Sequence, residues 1–249
     1  MSKSDPTVKL ILLGNGSVGK TSIITRFTED GFARVYKQTV GLDFFEKLVE
    51  LRGDKRANLQ IWDIGGQSIG SKMLDKYIFG SDIVFLCYDV TDPQSFQDLE
   101  DWLKMVQSTI AKREGKKESS MATPEIYICG NKIDLAHLRR INEEAHDNFV
   151  KRNKLYGGFF LSAQSGDNVK TIFYDAAARS LGIKLSAYEL EFTKKILAVT
   201  VNRSTDDNVP KSAVEQAIEA EDLSHGSWQD MVDRASEEDS KKKKKCCIL

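Results

Sequence analysis

The chain has 249 residues, 41% apolar and 29% charged, ordinary values for a globular protein and enough for one large domain or a domain with a long tail. The formal net charge of −1 points to no charged partner, and no nucleic acid is expected. No apolar run approaches the roughly 18 residues of a membrane span, and "MSKSDPTVKL" lacks the apolar core of a secretory signal.

The first predicted strand, "VKLILLG", runs into a loop holding Gly14, Gly16 and Gly19, then meets Lys20, Thr21 and Ser22 at the start of a helical segment. Gly14, Gly19, Lys20 and Thr21 match G-x-x-x-x-G-K-[ST], in the strand-to-helix setting that the pattern requires. Glycines let backbone N–H groups turn inward at the positive end of a helix and wrap a phosphate chain. Asn15, Gly16, Ser17, Val18 and Ser22 complete that cradle. Lys20 is expected to reach the β- and γ-phosphates, and the Thr21 hydroxyl is a natural Mg²⁺ ligand.

Two strand-like runs follow, "LDFFEKLVEL" and "ANLQIWDI", and the Gly-Asp turn between them predicts an antiparallel edge hairpin. The second ends at Asp63, a carboxylate suited to Mg²⁺ through a water, since Mg²⁺ keeps most of its shell. Gly66 can bring its N–H to a γ-phosphate with no side chain in the way. Gln67 can orient a water for in-line attack.

Next come the strand "DIVFLCYDV", a helix over "DPQSFQDLEDWLKMVQSTIAKR" capped by Asp92 or Ser95, and the strand "EIYICGN". Cys87 and Cys129 lie in apolar runs and read as reduced core thiols, as in cytosol. Asn131, Lys132 and Asp134 stand at the C-terminal end of the last of these strands, the edge that faces the ligand crevice of an open parallel sheet. Guanine presents N1–H and its exocyclic amine side by side, and one carboxylate accepts both. Adenine would leave Asp134 unmatched, so the expected base is guanine. "GGFFLSA" and "NVKTIFYDAAARSLGI" close the pattern. The fold class is α/β, a P-loop NTPase with a mainly parallel sheet, one antiparallel edge strand and helices on both faces.

Residues 1–183 read as the folded domain and 184–249 as a flexible tail. Ser204 to Ser240 carries 11 acidic and 2 basic residues, a net charge of −9. "SAVEQAIEAEDL" has the pattern of a short helix, and Trp228, Met231 and Val232 have the spacing of one apolar helical stripe. Lys241 to Lys245 then precede "CCIL", with Cys246 and Cys247 as lipidation candidates. One reading is a C-a-a-X signal modified at Cys246, with Leu249 favouring geranylgeranyl. A prenyl group beside five lysines gives the two signals that stable attachment to an anionic membrane needs.

The motifs "GNGSVGKT", "QTVGLDF", "WDIGGQ", "NKID" and "SAQ", in that order, resemble the Rab family of Ras-superfamily small GTPases. "QTVGLDFFEK", "LQIWDIGGQSIGSKMLDKYIFG" and "LGIKL" are similar to its divergent Rab twenty-eight branch. The resemblance implies a six-stranded sheet with five helices, bound GTP or GDP, Mg²⁺ and slow intrinsic hydrolysis. By position it makes Phe32 the ring stacked on guanine, Tyr36 a cover over the phosphates, and Thr39 a second Mg²⁺ ligand. Ser162 and Ala163 become backbone contacts to the base, beside Gln164, where many members carry lysine. It also implies an exchange factor, a GTPase-activating protein and effectors of the GTP state. A prenyltransferase and a lipid-binding escort or dissociation inhibitor would serve a tail prenylated on both cysteines, the second reading of that ending. The expected location is the cytosolic face of endomembranes, in vesicular traffic, with a monomeric GTP-binding domain.

Two departures from the pattern loosen it. Gly65 stands where most Rabs have the alanine of D-T-A-G-Q, and Gln38 replaces the usual proline before Thr39. Both predict unusually mobile segments in the GDP state. Two other classes remain compatible with a phosphate loop: a metabolic phosphotransferase, and a scaffold that holds GTP without hydrolysing it.

Overall fold

Strands that are apolar on both faces need cover on both sides, and the central strands have it. β1 (Thr7–Leu13), β4 (Ile83–Asp89) and β5 (Glu125–Asn131) are almost wholly buried. The structure, a computed structural model, describes residues 5–32, 37–51, 55–68, 73–114 and 123–185. Tyr36, the Gly-Asp turn, the acidic stretch, the Trp228 stripe and the ending at Cys246 and Cys247 lie outside the described residues.

With β2 (Leu42–Leu51), β3 (Lys55–Ile64) and β6 (Gly157–Phe160), the strands form one six-stranded sheet of order β2-β3-β1-β4-β5-β6. Only β2 and β3 run antiparallel, from Leu42 opposite Ile64 to Leu51 opposite Lys55, as the edge hairpin predicted. Side chains alternate between two cores. Leu10 and Leu12 face α1 (Lys20–Glu29) and α6 (Val169–Ser180), where Phe27 and Phe173 stack at 4.0 Å. Ile11 and Leu13 face the opposite core, with α2 (Leu74–Ile78), α4 (Leu99–Glu114) and α5 (Glu143–Asn153). Cys87 and Cys129 are buried free thiols.

The single helix expected from Asp92 onward is divided at Asp98 into α3 (Pro93–Gln97) and α4. The described residues therefore hold six α-helical segments rather than the five implied by resemblance. Asp98 still bonds back to Gln94, so the break is slight, and its carboxylate is drawn sideways to Asn15 and Gln94. Asp92 caps α3 by accepting from Gln94 N, whereas Ser95 Oγ receives Asp89 N. α6 stops at Ser180, short of the predicted pattern. Gly182 N bonds Arg179 O and Ile183 N bonds Ala178 O, a paired closure with Gly182 at φ 71°. Ile183 and Leu185 still pack against the core.

Parallel register puts the functional ends together. Leu12 lies opposite Asp63, and Asp89 opposite Asn131, so β1, β3, β4 and β5 deliver their C-terminal residues to one edge. Among the described residues no helix is long and apolar enough to cross a membrane.

Candidate functional site

A cavity of about 560 Å³ opens at that edge, running from Lys20 and Thr21 at one end to Asp134 and Ala163 at the other. Its floor is the Gly14–Thr21 loop. The helix α1 starts after Gly19 with no side-chain cap and no acidic residue in its first turn. Among the described residues no side chain caps its first N–H groups, the usual condition of an anion-binding helix start. Gly19 must be glycine on two counts: φ is 95°, and a β-carbon would lie 2.4 Å from Asn131 Nδ2.

Lys20 is 6% exposed, and its Nζ donates to the carbonyls of Gly14 and Asn15, each at 2.8 Å. Burial pulls its pKa down, with Cys87 and Asp63 acting in the other direction. A buried cation reaching over such a loop suits a polyanion.

Beside it three oxygens converge. Thr21 Oγ1 lies 2.9 Å from Thr39 Oγ1 and donates to Asp63 Oδ2 at 2.5 Å, and Thr39 Oγ1 donates to the same oxygen at 3.2 Å. Asp63 is fully buried, and its Oδ1 has no hydrogen-bond partner among the described residues. Burial raises its pKa, against the pull of the Thr21 hydrogen bond and the Lys20 charge. Hydroxyl and carboxylate oxygens are the donors a hard cation selects. These residues fit Mg²⁺.

At the far end the Asp134 carboxylate is exposed, and it accepts one bond, from Ser162 Oγ at 2.5 Å. Phe32, Lys132 and Gln164 also line the cavity. Lys132 Nζ is held by Asp89 at 2.6 Å. Asn131 is 1% exposed and acts as a brace: its Nδ2 donates to Val18 O at 2.9 Å, and its Oδ1 accepts from Ala163 N at 3.0 Å. The Ala163 N–H, expected to meet the base, is thus turned to Asn131.

The β3 end closes onto the loop. Gly65 N donates to Gly41 O at 2.9 Å, and a β-carbon on Gly65 would lie 2.6 Å from Thr39 O. The glycine expected to loosen this segment is also what lets it lie against Thr39. A β-carbon on Gly66 would come within 2.1 Å of Gly16 N. Gln67 follows in a short 3₁₀ turn and is exposed.

Sequence reasoning missed several residues here. Lys37 and Thr25 line the cavity without belonging to any quoted motif. The Asn15 side chain is tied to Asp98 at 2.6 Å and accepts from Trp102 Nε1 at 3.0 Å, so it points away from the cavity. Only the backbone of Asn15, which receives Lys20, faces the cradle.

Residues 9–181 match the Ras family. Ras-related protein Rab-28 of Caenorhabditis elegans is 40% identical over 198 residues, 79% of this chain and 76% of that protein. Ras-related protein Rab-13 of Rattus norvegicus is 34% identical over 72% of this chain and 82% of its own length. Ras-related protein Rab-30 of Homo sapiens is 34% identical over the same shares.

Proposed function

Because this chain belongs to the Ras family, as a Rab-like small GTPase, we propose that its cavity holds GTP or GDP with Mg²⁺ and that two segments close on the γ-phosphate. Family membership makes the protein a GTP-hydrolysing enzyme, which decides against the phosphotransferase and the binding-only scaffold. The observation that carries the assignment of residues is the meeting of Thr21, Thr39 and Asp63 beside Lys20, with one carboxylate oxygen unpartnered among the described residues.

In this reading the N–H groups of the Gly14–Thr21 loop and the Lys20 ammonium hold the β- and γ-phosphates. Thr21 and Thr39 would supply hydroxyls to Mg²⁺, with Asp63 reaching it through a water. Mg²⁺, when bound, neutralises charge on the phosphates. Gly66 offers its N–H to the γ-phosphate, and Gln67 holds the attacking water in line. Asp134 accepts both guanine donors while the Ser162 hydroxyl fixes its orientation. Asn131 works as the strut between the phosphate loop and the Ala163 loop, and Phe32 covers the base.

The Rab resemblance also gives the Thr39 backbone N–H to the γ-phosphate, so hydrolysis removes the group that Thr39 and Gly66 share and both segments are released. A partner that prefers the closed form is thereby coupled to GTP. Beside Thr39 lie exposed Val40 and half-exposed Phe44, and Phe44 meets Trp62 edge-on at 5.8 Å. This apolar surface next to the switching segments suits effectors. An exchange factor and an activating protein complete the cycle, because such enzymes are slow alone. Cys246, alone or together with Cys247, then anchors the switch, after a prenyltransferase and a lipid-binding escort have acted, to the cytosolic face of endomembranes in vesicular traffic.

Asp134→Asn tests the base assignment. Asn offers a donor where the carboxylate accepted, so the variant is expected to lose GDP by at least about a hundredfold and to gain xanthosine diphosphate, whose C2 oxygen accepts. Unchanged GDP affinity, or wild-type protein that takes up ADP as well as GDP, would remove Asp134 from the base site.

A further inference from the structure

α1 reaches both ends of the cavity. Its first turn carries Lys20 and Thr21, and its last turn carries Arg26. The half-buried Arg26 guanidinium donates to three backbone carbonyls: Nε to Ala163 at 2.9 Å, Nη2 to Gln164 at 2.5 Å, and Nη1 to Asp30 at 2.9 Å. Ala163 is therefore gripped on both sides, its N–H by Asn131 and its carbonyl by Arg26. Asp30 stands two residues before Phe32, the wall on the other side of the base end. A rigid planar fork with five donors can hold carbonyls from two separate loops at once, which a single ammonium cannot match.

We infer that Arg26 is a positioning residue for nucleotide retention. It fixes the Ala163–Gln164 loop and the approach to Phe32 on the same helix whose first turn receives the phosphates. It acts through the backbone it holds, and it lies outside every motif that marks the site. This rests on the guanine-nucleotide reading above. The clasp sits at the base end, away from Gly66 and Gln67, so its loss acts on diphosphate and triphosphate alike. A helix-end role limited to the Asp30 carbonyl would change stability and leave nucleotide release alone.

The test is release of fluorescent GDP and of a fluorescent non-hydrolysable GTP analogue from the full-length chain in excess Mg²⁺. Wild type, Arg26→Ala and Arg26→Lys are compared, with melting temperatures measured on the same samples. Both variants are expected to release both nucleotides faster and by the same factor, about tenfold for Arg26→Ala, since the lost bonds are charge-assisted. Single-turnover hydrolysis of GTP already bound is expected to stay within about twofold of wild type. Arg26→Lys keeps the charge and carries the test if Arg26→Ala does not fold. Release at the wild-type rate in a variant with lowered melting temperature would overturn the inference, as would acceleration confined to the triphosphate. Failure of the underlying reading looks different, because wild-type protein would then retain neither nucleotide.

Discussion

A β-carbon at Gly16 would start 3.7 Å from Gln67 Nε2, an ordinary contact, so alanine fits but the branches of valine enter the space Gln67 occupies. A displacement near 1 Å at a reacting group can lower a rate by about a hundredfold. Gly16→Val is therefore expected to cut activator-stimulated GTP hydrolysis by on the order of a hundredfold, as Gln67→Leu should, while GDP affinity stays near wild type. Single-turnover phosphate release measures this, and a wild-type rate for Gly16→Val would separate Gln67 from the chemistry. The sequence placed Gly16 in the phosphate loop and Gln67 just past a strand end, yet their proximity joins residues 51 positions apart and exists only after folding. The same holds for Ser162 and Asp134, and for the amide of Asn131. Residue types at fixed offsets disclosed many of the groups that line the cavity. They do not disclose which groups hold those in place, because a carbonyl gripped by Arg26 leaves no trace in composition or period.

The elements behind the base end contain a buried titratable pair. His146 of α5 bonds Tyr88 of β4 through Nδ1 at 2.8 Å, and its ring lies 4.2 Å from that of Phe160 on β6. Burial lowers its pKa to about 4, with Asp147 pulling upward and Arg139 pushing further down. The folded value thus lies below the ordinary 6.5. The unfolded chain takes up the proton first, so the stability from neutral His146 is whole above about pH 6.5 and lost as pH falls through about 4, to a limit of about 3 kcal/mol. In denaturant titrations between about pH 7 and pH 4.5, wild type should lose stability faster than His146→Gln, and parallel curves would contradict this. At this scale strand positions were legible from apolar runs, because buried parallel strands have no competing period. The split at Asp98 was not, since helical periodicity runs through it and a long-range bond to Asn15 marks it. The end of α6 was placed late, because the apolar pattern continues into a closure built by Gly182.

Across the whole molecule, one sheet edge gathers groups from distant stretches of chain. The phosphate loop follows β1, Asp63 lies at the end of β3 with Gly66 just beyond it, and Asn131 ends β5. The class of sheet and this edge were readable from alternation of strand and helix, and the ligand from motifs placed at strand ends. What was not readable is how closely the two switching segments lie on the loop, with Thr39 on Thr21 and Gly66 against Gly16. On that closeness rests the proposed switch: a terminal phosphoryl group bound beside the loop would hold both segments, and its loss would release them. Hydrogen–deuterium exchange of the peptides spanning residues 37–45 and 63–68 measures it directly, with GDP and with a non-hydrolysable GTP analogue in turn. Slower exchange of both peptides with the triphosphate is the expected result. Equal exchange in the two states would contradict the account.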